Sequence, residues 1–501
     1  MQASDFQLDP MFGDHMVLQR HKSIRVWGHG GNGSPVQVSV AGVQAETTVQ
    51  DGCWYLELPA LEAGGPHTLI AESGHTSIIL RDILIGDVWL AGGQSNMQFA
   101  LKEADGGLDM ALTTLPSMRF FTIPQISWED PDNLQTGSWK TCAREDAPNF
   151  SAVAFYFARK MLANQPDVPI GIIGCYWGGT SAACWIAEQD ILDAPELHIY
   201  RDEFLETIRD FDWEAYNKKE QEFNAAMDEY NRRFAETKGK DPGTNPWPPP
   251  LSPRHFLRPW GLYHSMLQKA VPYGLKGFLY YQGEEDTKRP HLYEKLLTIL
   301  IRRWRQDWQN EQLPFLFVQL PGYGCQGRPN DEEWALLREA QSKVADQVPD
   351  AALAVSIDCG DPRNIHPTNK QPVGERLALL ALEQVYGFEV QGESPVLAEA
   401  VVQDGIVSLS FRHSNGGLVM GSPGPEEAGL RGFELAGRDG VYVAASSALG
   451  KDGKILVWSE QVPSPQYVRY AWANYPKASL YNGCGLPASP FRKKLGGEAD
   501  E

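Results

Sequence analysis

The 501-residue chain is longer than one hydrophobic core usually organises, and its 42% hydrophobic side chains are enough to fill two or three domains. Its 44 Lys and Arg stand against 64 Asp and Glu, a net charge of −20 with no basic block. That balance disfavours nucleic acid or an anionic membrane as partner and suits a neutral or weakly charged substrate. Seven cysteines, at 53, 142, 175, 184, 325, 359 and 484, are scattered, odd in number and form no Cys-x-x-Cys. They argue against a disulfide framework and a zinc cluster and read as buried thiols. The first residues show neither a basic nor an apolar signal region, and no run is long enough to span a bilayer, so a cytoplasmic protein is expected.

Residues 1–85 read as a small β-sandwich-like domain. Val36, Val38 and Val40 alternate with polar neighbours, Asp51-Gly52 marks a turn, and Trp54, Leu56 and Leu58 alternate again. From 86 to 388 apolar strands alternate with helical stretches such as Phe150 to Leu162 and Glu375 to Val385, the texture of a parallel sheet covered by helices. Within it, residues 201–240 predict one long, highly charged amphipathic helix with Tyr216, Phe223, Met227, Tyr230 and Phe234 on a single face. Packing against the domain explains that stripe better than a homo-oligomer contact, which stays open. The proline-rich run from Asp241 to Pro253 cannot lie inside a helix or sheet; together, about 201–253 read as an insert. From 389 to 501, turn signals at Asp404-Gly405, Asp439-Gly440 and Asp452-Gly453 beside short alternating runs predict a second β domain.

Five apolar runs are candidate parallel strands: 87–91, 169–175, 277–281, 314–320 and 352–357. In open α/β sheets ligands lie beyond the carboxyl ends of the strands, and four of the five following loops carry chemistry. The first delivers Ser95 after Gly92 and Gly93, the way a strand end presents a nucleophile beside the unpaired amides of a helix start. Met97 stands where the second glycine of a Gly-x-Ser-x-Gly elbow would be, so that motif is absent. The others are Trp177-Gly178-Gly179-Thr180, Gln282-Gly283-Glu284, and the irregular loop from Asp358 to His366. Of eleven histidines, His366 is the one a strand-end loop delivers toward a serine. His255 and His264 show no zinc-ligand spacing, and no metal is assigned.

Gly93-Gln94-Ser95-Asn96-Met97, Trp177 to Thr180, Tyr281-Gln282-Gly283-Glu284 and Ile365-His366-Pro367 together resemble the sialate O-acetylesterase family of SGNH hydrolases. The resemblance extends to Met11 through Arg20, the Gly86-Asp87-Val88-Trp89 entry, Arg258 through Gly277, and Lys370 to Leu380, so it covers nearly the whole chain. It implies an SGNH-type (flavodoxin-like) three-layer α/β/α hydrolase domain flanked by N-terminal and C-terminal β-sandwich-like domains. It also implies a serine esterase that removes O-acetyl groups from sugars without a cofactor.

Physical roles follow from the residue types. Ser95 needs a neighbouring base, and His366 can take its proton and return it to the leaving sugar oxygen. Backbone amides of Ser95 and of Gly178 or Gly179, with the Gln282 side-chain amide, are the expected oxyanion donors. The SGNH pattern places an acid three residues before the histidine, where this chain has Arg363. Asp358 is preferred as the third member, Asp361 is the alternative, and a dyad held by a backbone carbonyl is also open. Glu284 and Asp286 are candidates to support the Gln282 loop, Glu284 also to touch substrate. Trp177, beside the oxyanion glycines, is the aromatic expected to meet a sugar, whereas Trp89, Tyr176 and Trp185 are expected in the core. The expected substrate is an acetylated sugar or oligosaccharide: sialate, or fragments of xylan, xyloglucan or mannan. A catalytically weak carbohydrate-binding relative and an esterase of other short-chain acyl esters are the alternatives.

Overall fold

The computed structural model describes residues 6–129, 135–237, 243–324, 332–421 and 431–496. It divides into two compact units, the first made of Met1–Lys218, Pro250–Gln282 and Thr298–Phe315, the second of Lys219–Pro249, Gly283–Leu297 and Leu316–Glu501.

The first unit begins with β structure. Strands Ile24–His29 and Cys53–Leu58 pair antiparallel, and Pro35–Val40 forms a hairpin with Val43–Thr48. Val36, Val38, Val40, Trp54, Leu56 and Leu58 are all buried, as their alternation demands. Asp51 and Gly52 both take positive φ, 51° and 78°, between Gln50 and Cys53, as a two-residue I′ turn requires.

Strand β1 (Thr76–Gly93) starts in this region, antiparallel to Gly64–Ser73, then runs beside Val17–Gln19 and continues into the α/β sheet without a break. Residues 85 and 86 therefore lie inside one 18-residue strand. A buried polar cluster fixes the passage. Asp87 is fully buried and accepts from Gln19 Nε2 (3.0 Å), Arg20 Nε (3.0 Å) and the second Arg20 nitrogen (2.8 Å), while Gln19 Oε1 accepts from the Val88 amide (2.9 Å). The carboxylate is thus paired and hydrogen-bonded, the condition for burying a charge.

In this unit β2 (Leu115–Thr122), β3 (Trp139–Cys142), β4 (Ile170–Tyr176) and β5 (Gly277–Tyr281) join β1 in the order β3-β2-β4-β1-β5, with only β3 antiparallel to its neighbour. The runs expected at 87–91, 169–175 and 277–281 are β1, β4 and β5; β2 and the edge strand β3 were not expected. Tyr176 and Tyr281 both pair with Gly93, so these strands end level. Helix α1 (Ser95–Gln98) follows β1, and α2 (Ala152–Asn164) is capped by Ser151, whose Oγ accepts from the Ala154 amide at 3.3 Å. Trp89 and Trp185 are fully buried and Tyr176 nearly so, in the core as expected.

The expected helix over 201–240 is two, α3 (His198–Thr207) and α4 (Trp213–Thr237). The break falls at Asp210 to Asp212, where aspartates favour a turn over a helix interior, and the apolar stripe lies wholly after it in α4. No residue of α4 is fully buried, and Tyr216, Phe223, Met227, Tyr230 and Phe234 form its half-buried side. Residues 243–253 carry no helix or strand; 238–242 lie outside the described residues. Helix α5 (Pro290–Asp307) brings Trp304 into the first unit, where its Nε1 donates to Trp185 O at 2.9 Å and its ring meets Phe278, Tyr280 and Phe315.

In the second unit β6 (Phe315–Val318) and β7 (Ala351–Ala354) correspond to the runs expected at 314–320 and 352–357, with α6 (Glu333–Gln347) between them. Helix α7 (Gln371–Leu380) continues into a π turn over Ala381–Val385. Two antiparallel four-stranded sheets close the chain around Val407, Leu409, Phe433, Leu435, Ile455, Val457, Val468 and Tyr470. Asp404 and Gly405 take φ of 50° and 79° in the hairpin between Val396–Gln403 and Ile406–Arg412, so the Asp-Gly turn does what its residues predict. The α/β class with β-rich N- and C-terminal regions is the architecture expected.

The cysteines are a correction. Cys142, Cys175 and Cys184 are buried, but Cys53 and Cys484 are exposed and Cys359 is half-buried; Cys325 lies outside the described residues. Cys53 alternates outward against inward-facing Trp54, which composition cannot show. Among the described residues no helix is long and apolar enough to cross a membrane.

Replacing Trp304 by Ala removes a fully buried indole whose six-membered ring fills the space over Gly92. Urea unfolding should show a loss of about 3–5 kcal/mol.

Candidate active site

Ser95, Trp177, Gly178, Gly179 and Gln282 belong to the first unit; Glu284, Asp358, Asp361 and His366 belong to the second, and each set is described within its own unit.

The end of β1 is shaped by a missing side chain. A Cβ on Gly93 would stand 2.1 Å from the Tyr281 carbonyl oxygen, and Gly93 takes φ 133°. Only glycine lets the chain pass this close and turn. The Gln94 amide then donates to Tyr281 O (3.0 Å), the Gln98 amide closes back onto Gln94 O (2.9 Å), and Ser95 opens α1 as a partly exposed residue between buried Gln94 and buried Asn96 and Met97. Ser151 Oγ donates to Met97 O at 2.6 Å, pinning this short helix to the cap of α2.

The loop after β4 lies against it. The Trp177 amide donates to Gly93 O at 3.1 Å, and a Cβ on Gly178 would meet Ser95 Cβ at 3.2 Å. The Gly178 N–H, one of the expected oxyanion donors, donates to Gln98 Oε1 at 2.8 Å. Gly179 takes φ 76°, which lets the loop turn. Thr180 Oγ1 donates to Trp177 O (2.8 Å) and accepts from Trp185 Nε1 (3.0 Å), while buried Gln282 donates through Nε2 to Thr180 O at 3.1 Å. The three strand-end segments of this unit are thus cross-tied through backbone and amide groups around Ser95.

In the second unit Gly283 takes φ 149° and opens a short 3-10 turn over Glu284–Lys288. Thr287 Oγ1 donates to Glu284 O at 2.8 Å, and both Glu284 and Asp286 are buried. Lys370, almost fully buried before α7, has its ammonium pushed down to about 7 by burial, with Glu284 pulling the other way. Burial, with a smaller contribution from the Lys370 charge, pushes the His366 imidazolium down from 6.5 to about 4. Its amide donates to Asn364 Oδ1 at 2.9 Å.

The two carboxylates expected to orient His366 are placed differently. Both oxygens of Asp358 accept from Arg376 (2.6 and 2.7 Å), and Tyr481 donates to it from 3.4 Å. Asp361 uses Oδ1 to accept from the amides of Arg363 (2.7 Å) and Asn364 (2.9 Å), a local turn that shapes the approach to His366. Arg376, on α7, was missed at sequence level; nothing short of the fold pairs it with Asp358. Among the described residues no group of three or more His, Cys, Asp or Glu side chains could hold a metal ion.

The family description carbohydrate esterase, sialic acid-specific acetylesterase, matches residues 253–383. Sialate O-acetylesterase of Mus musculus is 28% identical over 97% of this chain and 94% of its own length, and that of Homo sapiens 25% identical over 97% and 92%. The crystal structure of a carbohydrate acetylesterase from Xanthomonas citri matches with a TM-score of 0.79 and 30% identity, covering 97% of this chain and 99% of the other. The chain belongs to the sialate O-acetylesterase family. Like other members of the sialate O-acetylesterase family it is a carboxylic ester hydrolase.

Three outcomes follow from these geometries. Asp358→Asn weakens a largely buried, bidentate ion pair and should cost about 1–3 kcal/mol of stability, measured by urea unfolding. His366 is depressed, so the unfolded chain binds its proton first as pH falls; stability through this group rises with pH between about 4 and 6.5. If His366 is the base, the acid limb of the kcat/KM profile should have its midpoint near about 4; a midpoint at 6.5 or higher would contradict that environment.

Proposed function

We propose that this protein is a serine esterase that removes O-acetyl groups from acetylated carbohydrates through an acetyl-enzyme. The observation that carries the reading is the setting of Ser95: a partly exposed hydroxyl at a helix start, delivered by a strand end that tolerates only glycine, with the Gly178 backbone packed against it. The family relationship supplies the substrate class, since its members named above are sialate O-acetylesterases and a carbohydrate acetylesterase.

In this mechanism Ser95 attacks the acetyl carbonyl as His366 takes its proton, and the imidazolium returns that proton to the departing sugar oxygen. A depressed His366 keeps the base neutral at physiological pH. The tetrahedral oxyanion is met by the Ser95 and Gly179 amides with the Gln282 Nε2 donor, each worth about 3 kcal/mol of transition-state stabilisation. Gly178 N–H serves the same loop by holding Gln98. Water then cleaves the acetyl-enzyme through the same groups. Asp361 is the better candidate to orient His366, because only one of its oxygens is occupied by the loop's own amides, whereas both oxygens of Asp358 bind Arg376. Sialate, xylan, xyloglucan and mannan fragments all present the same acetyl ester to this machinery.

The test is acetate release from O-acetylated sialic acid and from acetylated xylan, xyloglucan and mannan oligosaccharides. Ser95→Ala should lose at least about a thousandfold in kcat, and Asp361→Asn should lose far more turnover than Asp358→Asn. Turnover by Ser95→Ala close to that of the unmodified enzyme would sink the mechanism.

A further inference from the structure

We infer that Trp177, Phe256 and His255 form an aromatic wall that seats the pyranose ring bearing the O-acetyl group, and that the 252–258 segment selects the sugar. The inference rests on the proposed carbohydrate O-acetylesterase reading and gives its alcohol half a place to bind.

The wall lies entirely in the first unit. The Trp177 amide hydrogen-bonds Gly93 O at the end of the strand that leads to Ser95, and Trp177 immediately precedes Gly178, where a Cβ would stand 3.2 Å from Ser95 Cβ. Its ring is stacked on Phe256 with centroids 4.7 Å apart and planes 2° from parallel, and Phe256 meets the His255 ring at 4.5 Å. All three are partly exposed, unlike the fully buried core tryptophans Trp89 and Trp185. Flat aromatic surfaces with part of their area open to solvent beside a nucleophile suit the apolar C–H face of a pyranose, which aromatic rings bind by dispersion and weak C–H contacts.

The segment carrying Phe256 has no helix or strand of its own, yet it is held firmly. The His255 amide donates to Ser252 O and the Arg258 amide to His255 O, both at 3.0 Å. Arg258 pairs with Glu129 at 3.0 Å, and the Arg254 guanidinium lies 4.2 Å from the Trp128 ring centroid. Cys184 Sγ donates to Leu257 O, and the Trp260 amide donates to Ala183 O at 2.7 Å, joining the segment to the turn that follows Gly178 and Gly179. An irregular segment anchored this way presents a ring that loses little freedom when a ligand arrives. His255 Nδ1 accepts from the Leu257 amide at 3.2 Å, which places the proton on Nε2 and gives the wall a neutral donor for a sugar hydroxyl. Burial keeps that ring uncharged, pushing it down to about 4.

The experiment compares kcat/KM for acetylated xylo-oligosaccharide and for O-acetylated sialic acid with kcat/KM for triacetin, an ester with no ring. In Phe256→Leu the sugar-to-triacetin ratio should fall about five- to tenfold for whichever sugar is turned over, mainly through KM, the size of one lost ring stack. Phe256→Tyr, which keeps the flat ring, should return the ratio to within about threefold of the unmodified enzyme. If Phe256→Leu does not fold, His255→Gln should lower the same ratio by about threefold or more. A ratio within about twofold of the unmodified enzyme in the folded variant overturns the wall and leaves the deacetylase reading intact. An unmodified enzyme that cleaves triacetin but no acetylated sugar overturns the deacetylase reading itself, and the wall falls with it.

Discussion

The site depends on the close approach of Gly93 to the carbonyl of Tyr281. Strands β4 and β5 end level with β1, and a side chain at 93 would occupy the position of that carbonyl. The backbone, freed of a Cβ, turns at once; the Gln94 amide caps the neighbouring strand and the next residue is the serine. The Trp177 amide uses the Gly93 carbonyl on the other side. One steric vacancy therefore sets the helix start, the height of Ser95 and the position of the glycine loop beside it.

Burial of charge is handled in the same economical way. Despite a net charge of −20, three carboxylates at structural junctions are each gripped by arginine: Asp87 by Arg20 at the entry of the central strand, Asp190 by Arg303, and Asp358 by Arg376 after β7. Breaking such a pair leaves a poorly hydrated charge, so each fixes the geometry of the segment that bears it. For Asp358 this changes the meaning of the loop. Its carboxylate braces the start of the Asp358 to His366 segment, and Asp361 turns the chain toward the histidine through the Arg363 and Asn364 amides.

The proposed aromatic wall places specificity apart from the reacting groups. In the proposed mechanism Ser95 and its oxyanion donors deal with an acetyl carbonyl common to every candidate ester. In the proposed wall the ring of Phe256, stacked on Trp177 by a segment without regular structure, is the group that meets the part of the substrate that differs.

The sequence by itself determined the strands whose apolar runs end in glycine, the turns at Asp51-Gly52 and Asp404-Gly405, and the loops that deliver Ser95, Trp177 to Thr180, Gln282 and His366. Periodicity and backbone preference are local, and these features are local. The strands Leu115–Thr122 and Trp139–Cys142 escaped because polar residues, Ser117 and Arg119 in one and Lys140 and Thr141 in the other, interrupt their apolar runs, and the break between α3 and α4 escaped because the apolar stripe lies wholly within α4 and does not mark where that helix begins. Only tertiary structure decided that both oxygens of Asp358 belong to Arg376, that Gly178 N–H belongs to Gln98, and that Phe256 lies flat on Trp177. Each is a pairing between residues far apart in the chain, and which donor meets which acceptor is fixed by packing rather than by neighbours in sequence.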